Sequence, residues 1–573
     1  MSLFPSTIHQ AAQAAATLPV AAPLPVPGLN TTMFDLSSAL TTTNVVAPPG
    51  MVRPYQAHQA AGHVAANAAI ATFGTAVIGD DMGLGKTQLA EGLIAEYLHA
   101  AQGGYAVVIA PPVTWAGWSN DLAAAFPGLR MAQLKGRTPD FANLPIADVY
   151  WLSDDSTTMQ KWLTNKVTTT DKHGKEHVEF QANAFSLGAK VLVRDEIHRD
   201  KGSNGKATTG RAKVMMALGK AFQAQGTPII GMTGTLLTNR VVEAFVPLQY
   251  LGGERLIKAL TPGAKTVTGF LWEYANPQEK WARGRKFYVY GTNLAKAHQL
   301  HTNLRSTVYV RREKSDLGDA LPNSGWLVKP IALNGVLRRY NQLANEFLAT
   351  VLAEEGPKAY LAKSKVEAAQ RMMALWQEAG NAKVGATVDY VETLTDQGRK
   401  VVVFYHHTRN WENLGLGLTD RGIKWASING KVTGARREGT INDFQAPDGD
   451  TMVILAQLGA AGVGVTLTAA ADAVFAQIPW SAGDLKQAAD RILRTDQISR
   501  DRAARGEAVT WHVLQAAQAD GSPTFDMTMF EVVQRKAQLT DAVNAGRPVT
   551  IDEDSVWEEA LEVWFPQAQA QYN

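Results

Sequence analysis

The chain of 573 residues contains no cysteine. Disulfides, thiolate zinc sites and cysteine nucleophiles are therefore excluded together, and the composition suits an intracellular protein. Charge is scarce as well: only 19% of residues are Asp, Glu, Lys or Arg, and the formal net charge is +2. So small an imbalance excludes a global field for polyanions, and any nucleic-acid surface must be a local stripe. No run of 18 apolar residues is free of proline and charge, so no membrane span is expected. Residues 1–50 hold a single Asp/Glu/Lys/Arg residue, Asp35, and lack the basic n-region of a secretory signal. They read as a flexible or surface-draped arm.

The chain is too long for one core, and two blocks of alternating strand and helix patterns stand out. In 51–252 the apolar runs are TAVIG (75–79), YAVVIA (105–110), KVLVR (190–194) and TPIIGM (227–232). In 381–545 they are KVVVFY (400–405), IKWASI (423–428), TMVILA (451–456), DAVFAQI (472–478) and AVTWHVL (508–514). Short apolar runs alternating with helical patterns predict an α/β fold with parallel sheets, here in two lobes. The polar stretch 166–177 reads as an exposed hairpin or loop, 253–380 as a helical insert and linker, and 546–573 as an acidic helix or tail. In that last segment Trp557, Leu561 and Trp564 recur at helical spacing.

The chemistry concentrates after TAVIG. In DDMGLGKT, Gly83 and Gly85 permit a tight backbone curl whose N–H groups face an anion at a helix N-terminus. Lys86 is placed to reach the β/γ-phosphates and Thr87 to hold Mg²⁺. The strict P-loop pattern wants glycine where Asp80 stands. Downstream, VLVRDEIHR ends a strand in Asp195 and Glu196, one carboxylate for Mg²⁺ and one to orient and deprotonate water. His198, by itself, most often reads as a packing or surface histidine. GMTGTLLTN supplies Thr233 and Thr235, either γ-phosphate sensors or a plain turn. In QAADRILR, Arg491 and Arg494 share a face if the segment is helical. They are either a solvated basic edge or donors to a transferring phosphoryl group.

Taken in order, these segments resemble the Swi/Snf-type ATPases of helicase superfamily two. RPYQ (53–56) resembles the adenine-reading Q motif and points to Gln56, and DDMGLGKT resembles motif I, which accounts for Asp80. IAPPVTWAGW (109–118), DEIH and TGTLLTN resemble motifs Ia, II and III. VRREKSDLGDALP (310–322) is close to the RRxK…LP signature of the family. FYHH (404–407) resembles motif IV, and INGKVTGARREGTINDF (428–444) the next one. GAAGVGVTLTAA (459–470) resembles motif V, bringing in Gly462, and QAADRILRTDQ resembles motif VI, making Arg491 and Arg494 arginine fingers. FYHH, YGTNL (290–294) and FAQIPW are most like the annealing-helicase, fork-remodelling branch. Three departures stand out: Leu236 for the proline of TGTP, Thr495-Asp496 for Ile-Gly, and Arg194 at a usually apolar place.

The resemblance implies two RecA-like lobes, ATP with Mg²⁺, and a monomeric motor translocating on double-stranded DNA. Annealing or remodelling of branched DNA is its further expectation. Thr114, Ser153 and Thr468 occupy loop positions whose family counterparts touch the DNA backbone, and each is equally a turn or capping residue. His406 and His407, adjacent on an expected strand, should face opposite ways and not share a metal. The alternatives are an RNA or single-strand DNA helicase, and an ATPase subunit of a defence or transcription complex.

Overall fold

The computed structural model describes residues 47–170, 176–236, 241–264, 266–282, 285–290, 292–314, 316–317, 321–333, 337–430, 432, 434–458, 465–544 and 556–572. The chain divides into two compact units, with the main boundary between Asp316 and Leu317.

The first unit contains, in chain order, β1 (Thr75–Ile78), β2 (Ala106–Ala110), β3 (Met131–Leu134), β4 (Val149–Ser153), β5 (Thr164–Thr170), β6 (Glu176–Ala182), β7 (Val191–Asp195), β8 (Ile229–Met232), β9 (Gln278–Ala282), β10 (Arg285–Val289) and β11 (Tyr309–Val310). Seven of them form one parallel sheet in the order β11-β1-β8-β7-β2-β4-β3. Its central strands read as continuous apolar runs because both faces are covered. Val107 and Ile109 of β2 enter one core, while Ala106, Val108 and Ala110 enter another. β5 and β6 make the antiparallel hairpin expected across 166–177, and β9 and β10 make a second one.

The second unit adds β12 (Ser324–Ala332), β13 (Val401–Tyr405), β14 (Trp425–Ile428), β15 (Val453–Gln457), β16 (Asp472–Phe475) and β17 (Val509–Ala517). They form a parallel sheet in the order β12-β17-β16-β13-β15-β14. The same alternation recurs, with Val402 and Phe404 in one core and Val401, Val403 and Tyr405 in the other. Both sheets are parallel throughout. The stretch 253–380 is shared: helices Gly269–Tyr274 and Leu294–Arg305 with β11 lie in the first unit, and β12 with helices Arg338–Ala353 and Pro357–Ala382 in the second. The closing helix Val556–Tyr572 buries Leu561 and Trp564, the latter stacked on Phe347 at 5.6 Å. Among the described residues, no helix is long and apolar enough to cross a membrane.

Candidate active site

β1 carries the chain to its C-terminal edge, where an open parallel sheet presents its ligand-binding loops. The turn that follows needs glycine at two positions of left-handed backbone, Gly83 (φ 88°) and Gly85 (φ 80°). Gly85 also caps the helix Lys86–Ala100, and a Cβ there would come within 2.1 Å of Gln59 Nε2. Lys86 Nζ donates to the carbonyls of Asp80 (2.7 Å) and Asp81 (3.2 Å), so its ammonium is seated across the loop it belongs to. Burial lowers its pKa against the attraction of Glu196, Asp80, Asp81 and Asp195.

Neighbouring strands bring the other motifs to the same edge, since β8 pairs with both β1 and β7. Asp195 is buried at the end of β7, accepts from Trp118 Nε1 at 3.3 Å, and is pushed up to about 7 by burial and then by the adjoining Glu196. Glu196 adopts a left-handed backbone (φ 56°), a conformation a non-glycine residue keeps only when its surroundings impose it. His198 Nδ1 lies 3.2 Å from Glu196 Oε2 and 2.9 Å from Thr233 Oγ1. Thr233 Oγ1 in turn donates to Thr235 O (3.0 Å) and accepts from Thr235 N–H (3.1 Å). The structure thus strings Glu196, His198, Thr233 and Thr235 together beside the P-loop. Thr87 is the second residue of the P-loop helix.

The Q-motif segment is fixed to this loop from the other side. Gln56 caps the helix Ala57–Phe73, and its N–H donates to Gln59 Oε1 at 2.9 Å. Gln59 Nε2 reaches Gly85 O (3.3 Å), His58 Nε2 lies 2.9 Å from Leu84 O, and Gln88 Nε2 donates to Arg53 O (2.8 Å).

In the second unit, Arg491 and Arg494 do not sit on a helix, which corrects the helical-face expectation. The helix Ala482–Ala489 is capped at Asp490, and the next begins only at Gln497. The intervening turn still brings the two guanidinium groups to one acceptor: Arg494 Nη2 donates to Val465 O at 2.9 Å and Arg491 Nη1 reaches it at 3.5 Å. Gly462 lies outside the described residues. Thr468 is fully buried; its hydroxyl donates to Asp496 and accepts from Gln445 Nε2 (3.1 Å), so it is engaged in local packing. In the first unit, Thr114 is buried and donates to Pro111 O (2.8 Å), while Ser153, half-buried at the end of β4, accepts from Asp155 N–H (3.2 Å).

His406 and His407 are the other correction. β13 ends at Tyr405 and His407 is already the N-cap of the helix Thr408–Asp420, so strand alternation does not apply. Their rings lie 4.8 Å apart, both against Trp376, and Gln477 Oε1 accepts from both backbone N–H groups. Burial lowers both pKa values, His407 to about 4, so both rings are neutral near pH 7.

The Helicase conserved C-terminal domain family matches residues 382–496, a span covering most of the second sheet and both arginines. The human DNA annealing helicase and endonuclease ZRANB3 is 25% identical over 504 residues, covering 86% of this chain and 41% of the relative. The Xenopus laevis SWI/SNF-related matrix-associated actin-dependent regulator of chromatin subfamily A-like protein 1 is 26% identical over 444 residues, covering 76% and 40%. Along most of its length the chain is thus similar to annealing-helicase and SWI/SNF-related proteins, with the helicase C-terminal match confined to 382–496. The chain spans about two fifths of the length of these curated relatives. A Sulfolobus solfataricus SWI2/SNF2 ATPase core in complex with dsDNA matches over 92% of this chain and 99% of its own, at 18% identity and a TM-score of 0.36.

Two features of this chain were not assigned from its motifs. The first is what holds Asp80 and Asp81. Arg312 donates to Asp80 Oδ1 through its backbone N–H (2.9 Å) and Nε (2.8 Å), and to Oδ2 through Nη2. Arg311 donates to Asp81 Oδ1 (3.0 Å) and to Gly79 O (2.8 Å). The RRxK signature therefore clamps the P-loop from β11, and Asp80 replaces a glycine because it has a cation to bind. Gly79 must be glycine, since a Cβ there would meet the Tyr309 ring at 1.9 Å. The signal was present in the paired Asp-Asp and Arg-Arg, but nothing local joins them.

The second concerns two departures from the family pattern. Arg194, fully buried, forms a fork on Asp200 with Nε and Nη2 each at 2.7 Å, and Tyr250 donates to the same carboxylate. Asp496 accepts from Ser499 N–H and so caps the helix Gln497–Ala504. Both residues found structural work that an apolar side chain or glycine could not do.

Proposed function

We propose that this chain is a DNA-dependent ATPase that couples hydrolysis to translocation on double-stranded DNA, and that it anneals or remodels branched DNA. The observation that carries the hydrolytic part is that Lys86, Thr233 and the Asp195–Glu196 pair follow or end three neighbouring strands at one sheet edge, with His198 bridging Glu196 and Thr233. Lys86 and the N–H groups of the Gly83–Gly85 turn bind the phosphates, and Gln56 reads the adenine. Two adjoining carboxylates, one of them buried, suit a cation: Thr87 and Asp195 would hold Mg²⁺, which supplies charge neutralisation on the phosphates. Glu196 orients and deprotonates water, and His198, Thr233 and Thr235 tie that base to the γ-phosphate side of the pocket. In the motif assignment Arg491 and Arg494 are arginine fingers and Gly462 of motif V is a nucleotide-binding residue.

The DNA part rests on the relatives, whose names include DNA annealing helicases, and on a translocase's need for phosphate contacts without a base code. Thr114 and Ser153 are the contacts proposed in the first unit, and Thr468 in the second requires release from Asp496 and Gln445. The lobes 51–252 and 381–545 then form a monomeric intracellular motor, with 253–380 joining them. Glu196→Gln should keep ATP binding while hydrolysis falls ~10²–10⁴-fold, the scale of general-base catalysis. Lys86→Ala should weaken nucleotide binding itself. Near-wild-type turnover in both variants would overturn the assignment.

A further inference from the structure

The β9–β10 hairpin is a ribbon with an unusual surface. Its residues 278–289 hold four Lys/Arg against one Glu, in a chain that is otherwise close to neutral. Among the described residues, five large aromatic side chains are exposed, and three of them lie on or beside this ribbon: Trp281 (67% exposed), Trp272 (52%) and Phe287 (40%). The other two, Phe141 and Trp326, pack against further rings, whereas Trp281 and Phe287 meet none. The strand register sets a lysine opposite each uncovered ring, Lys286 across from Trp281 and Lys280 across from Phe287. Glu279 accepts from Trp281 Nε1 at 3.0 Å and pairs with Lys286 at 2.6 Å, which satisfies the indole's polar atom and leaves its faces open.

The ribbon is rooted rather than loose. Asn293 N–H donates to Tyr274 O (2.7 Å) and Asn293 Nδ2 to Glu273 O (2.8 Å), joining the segments on either side of it. Tyr274 is itself buried and donates to Leu260 O, and Trp272 packs on Tyr288 at 5.0 Å. A two-stranded hairpin with no core of its own is marginally stable in water. Keeping bulky aromatic faces in solvent at the end of an anchored arm is explained if a ligand covers them.

We infer that the hairpin is a stacking platform for unpaired nucleobases, Trp281 taking a base on one face of the ribbon and Phe287 on the other, with Lys280 facing an adjoining phosphate and Lys286 doing so on release from Glu279. Aromatic faces interleaved with cations are the chemistry of single-strand binding, and a π-face is free only on a base that has left the duplex stack. The hairpin would then recognise the open arms of a branch or fork. This inference rests on reading the chain as a DNA motor.

The test measures affinity of the full chain for oligo(dT), for a forked duplex with single-stranded arms and for a blunt duplex of equal length. Trp281→Ala with Phe287→Ala should weaken oligo(dT) and fork binding ~5- to 100-fold, the range of base–aromatic stacking, with blunt-duplex affinity and duplex-stimulated ATPase unchanged. Trp281→Phe should restore most of the loss, which a merely structural role would not require, and unchanged thermal melts would exclude misfolding. Trp281 fluorescence, taken as the difference between wild type and Trp281→Phe, should be quenched by oligo(dT). Fork affinity unchanged in the double alanine variant would overturn the proposal. So would quenching by a poly-glutamate peptide but not by oligo(dT), which would assign the surface to an acidic protein segment. A chain with no DNA-stimulated ATPase whose indole is still quenched by oligo(dT) would refute the motor reading and retain the platform.

Discussion

Cutting one arm of the clamp on the P-loop should destabilise the first unit by ~3–5 kcal/mol, the usual consequence of leaving a buried charge without its partner. Asp80 and Arg312 are both buried, and Arg312 supplies every hydrogen bond described to the Asp80 carboxylate. Arg312→Ala removes the Nε and Nη2 donors and leaves a single backbone N–H on a desolvated carboxylate. At ~2–4 °C per kcal/mol the unit's melting transition should fall by roughly 6–20 °C. Calorimetry is suited to the measurement because two units can melt as separate transitions. Asp80→Asn leaves the buried Arg312 charge without its counter-ion while the amide oxygen still accepts from it, and the double variant should be less destabilised than the sum of the singles. ATP affinity should drop with stability, since Lys86 Nζ is seated on the carbonyls of Asp80 and Asp81. A single-variant effect below ~1 kcal/mol, as for an exposed ion pair, would refute the reasoning. A cycle additive within ~0.5 kcal/mol would do the same.

Two further predictions concern charge at the site. Arg494→Ala should bind ATP and DNA nearly normally and lose ~10³–10⁵ of DNA-stimulated turnover, with Arg494→Lys rescuing poorly because an ammonium lacks the planar fork; steady-state ATPase at saturating duplex checks it. Asp195 has a folded pKa raised to about 7 from 3.8, so the folded state holds the extra proton between those values. Nucleotide-free stability should therefore fall as pH rises from about 4 to about 7 and then level off, and melts of wild type minus Asp195→Asn isolate this slope from the same-signed one of buried Glu91.

Much of this was legible in the sequence because it is local. TAVI, AVVIA and VVVFY announce themselves as strands buried on both faces, DEIH and TGT stand at the ends of theirs, and GKT comes one tight turn after its own. β3, β11 and β12 escaped for physical reasons. β3 is a half-buried edge strand, β11 has two residues, and β12 is a largely exposed edge carrying Lys329 and Pro330. β4, VYWLS, was equally apolar and was simply not picked out. The clamp was invisible for a different reason: Asp80 and Arg312 lie 232 residues apart, and only the pairing of β11 with β1 brings them together. Arg491 and Arg494 show the opposite error, a periodic spacing mistaken for a helix where a turn does the same job.

Whether duplex DNA drives hydrolysis at this site is decided by steady-state ATPase rates with blunt duplex, single-stranded DNA, forked DNA and RNA. Duplex and forked DNA should stimulate strongly, independent of sequence and with steep weakening as salt rises, because phosphate contacts and counterion release dominate binding. Stimulation by RNA or single strands alone would contradict the account, as would a rate indifferent to every nucleic acid.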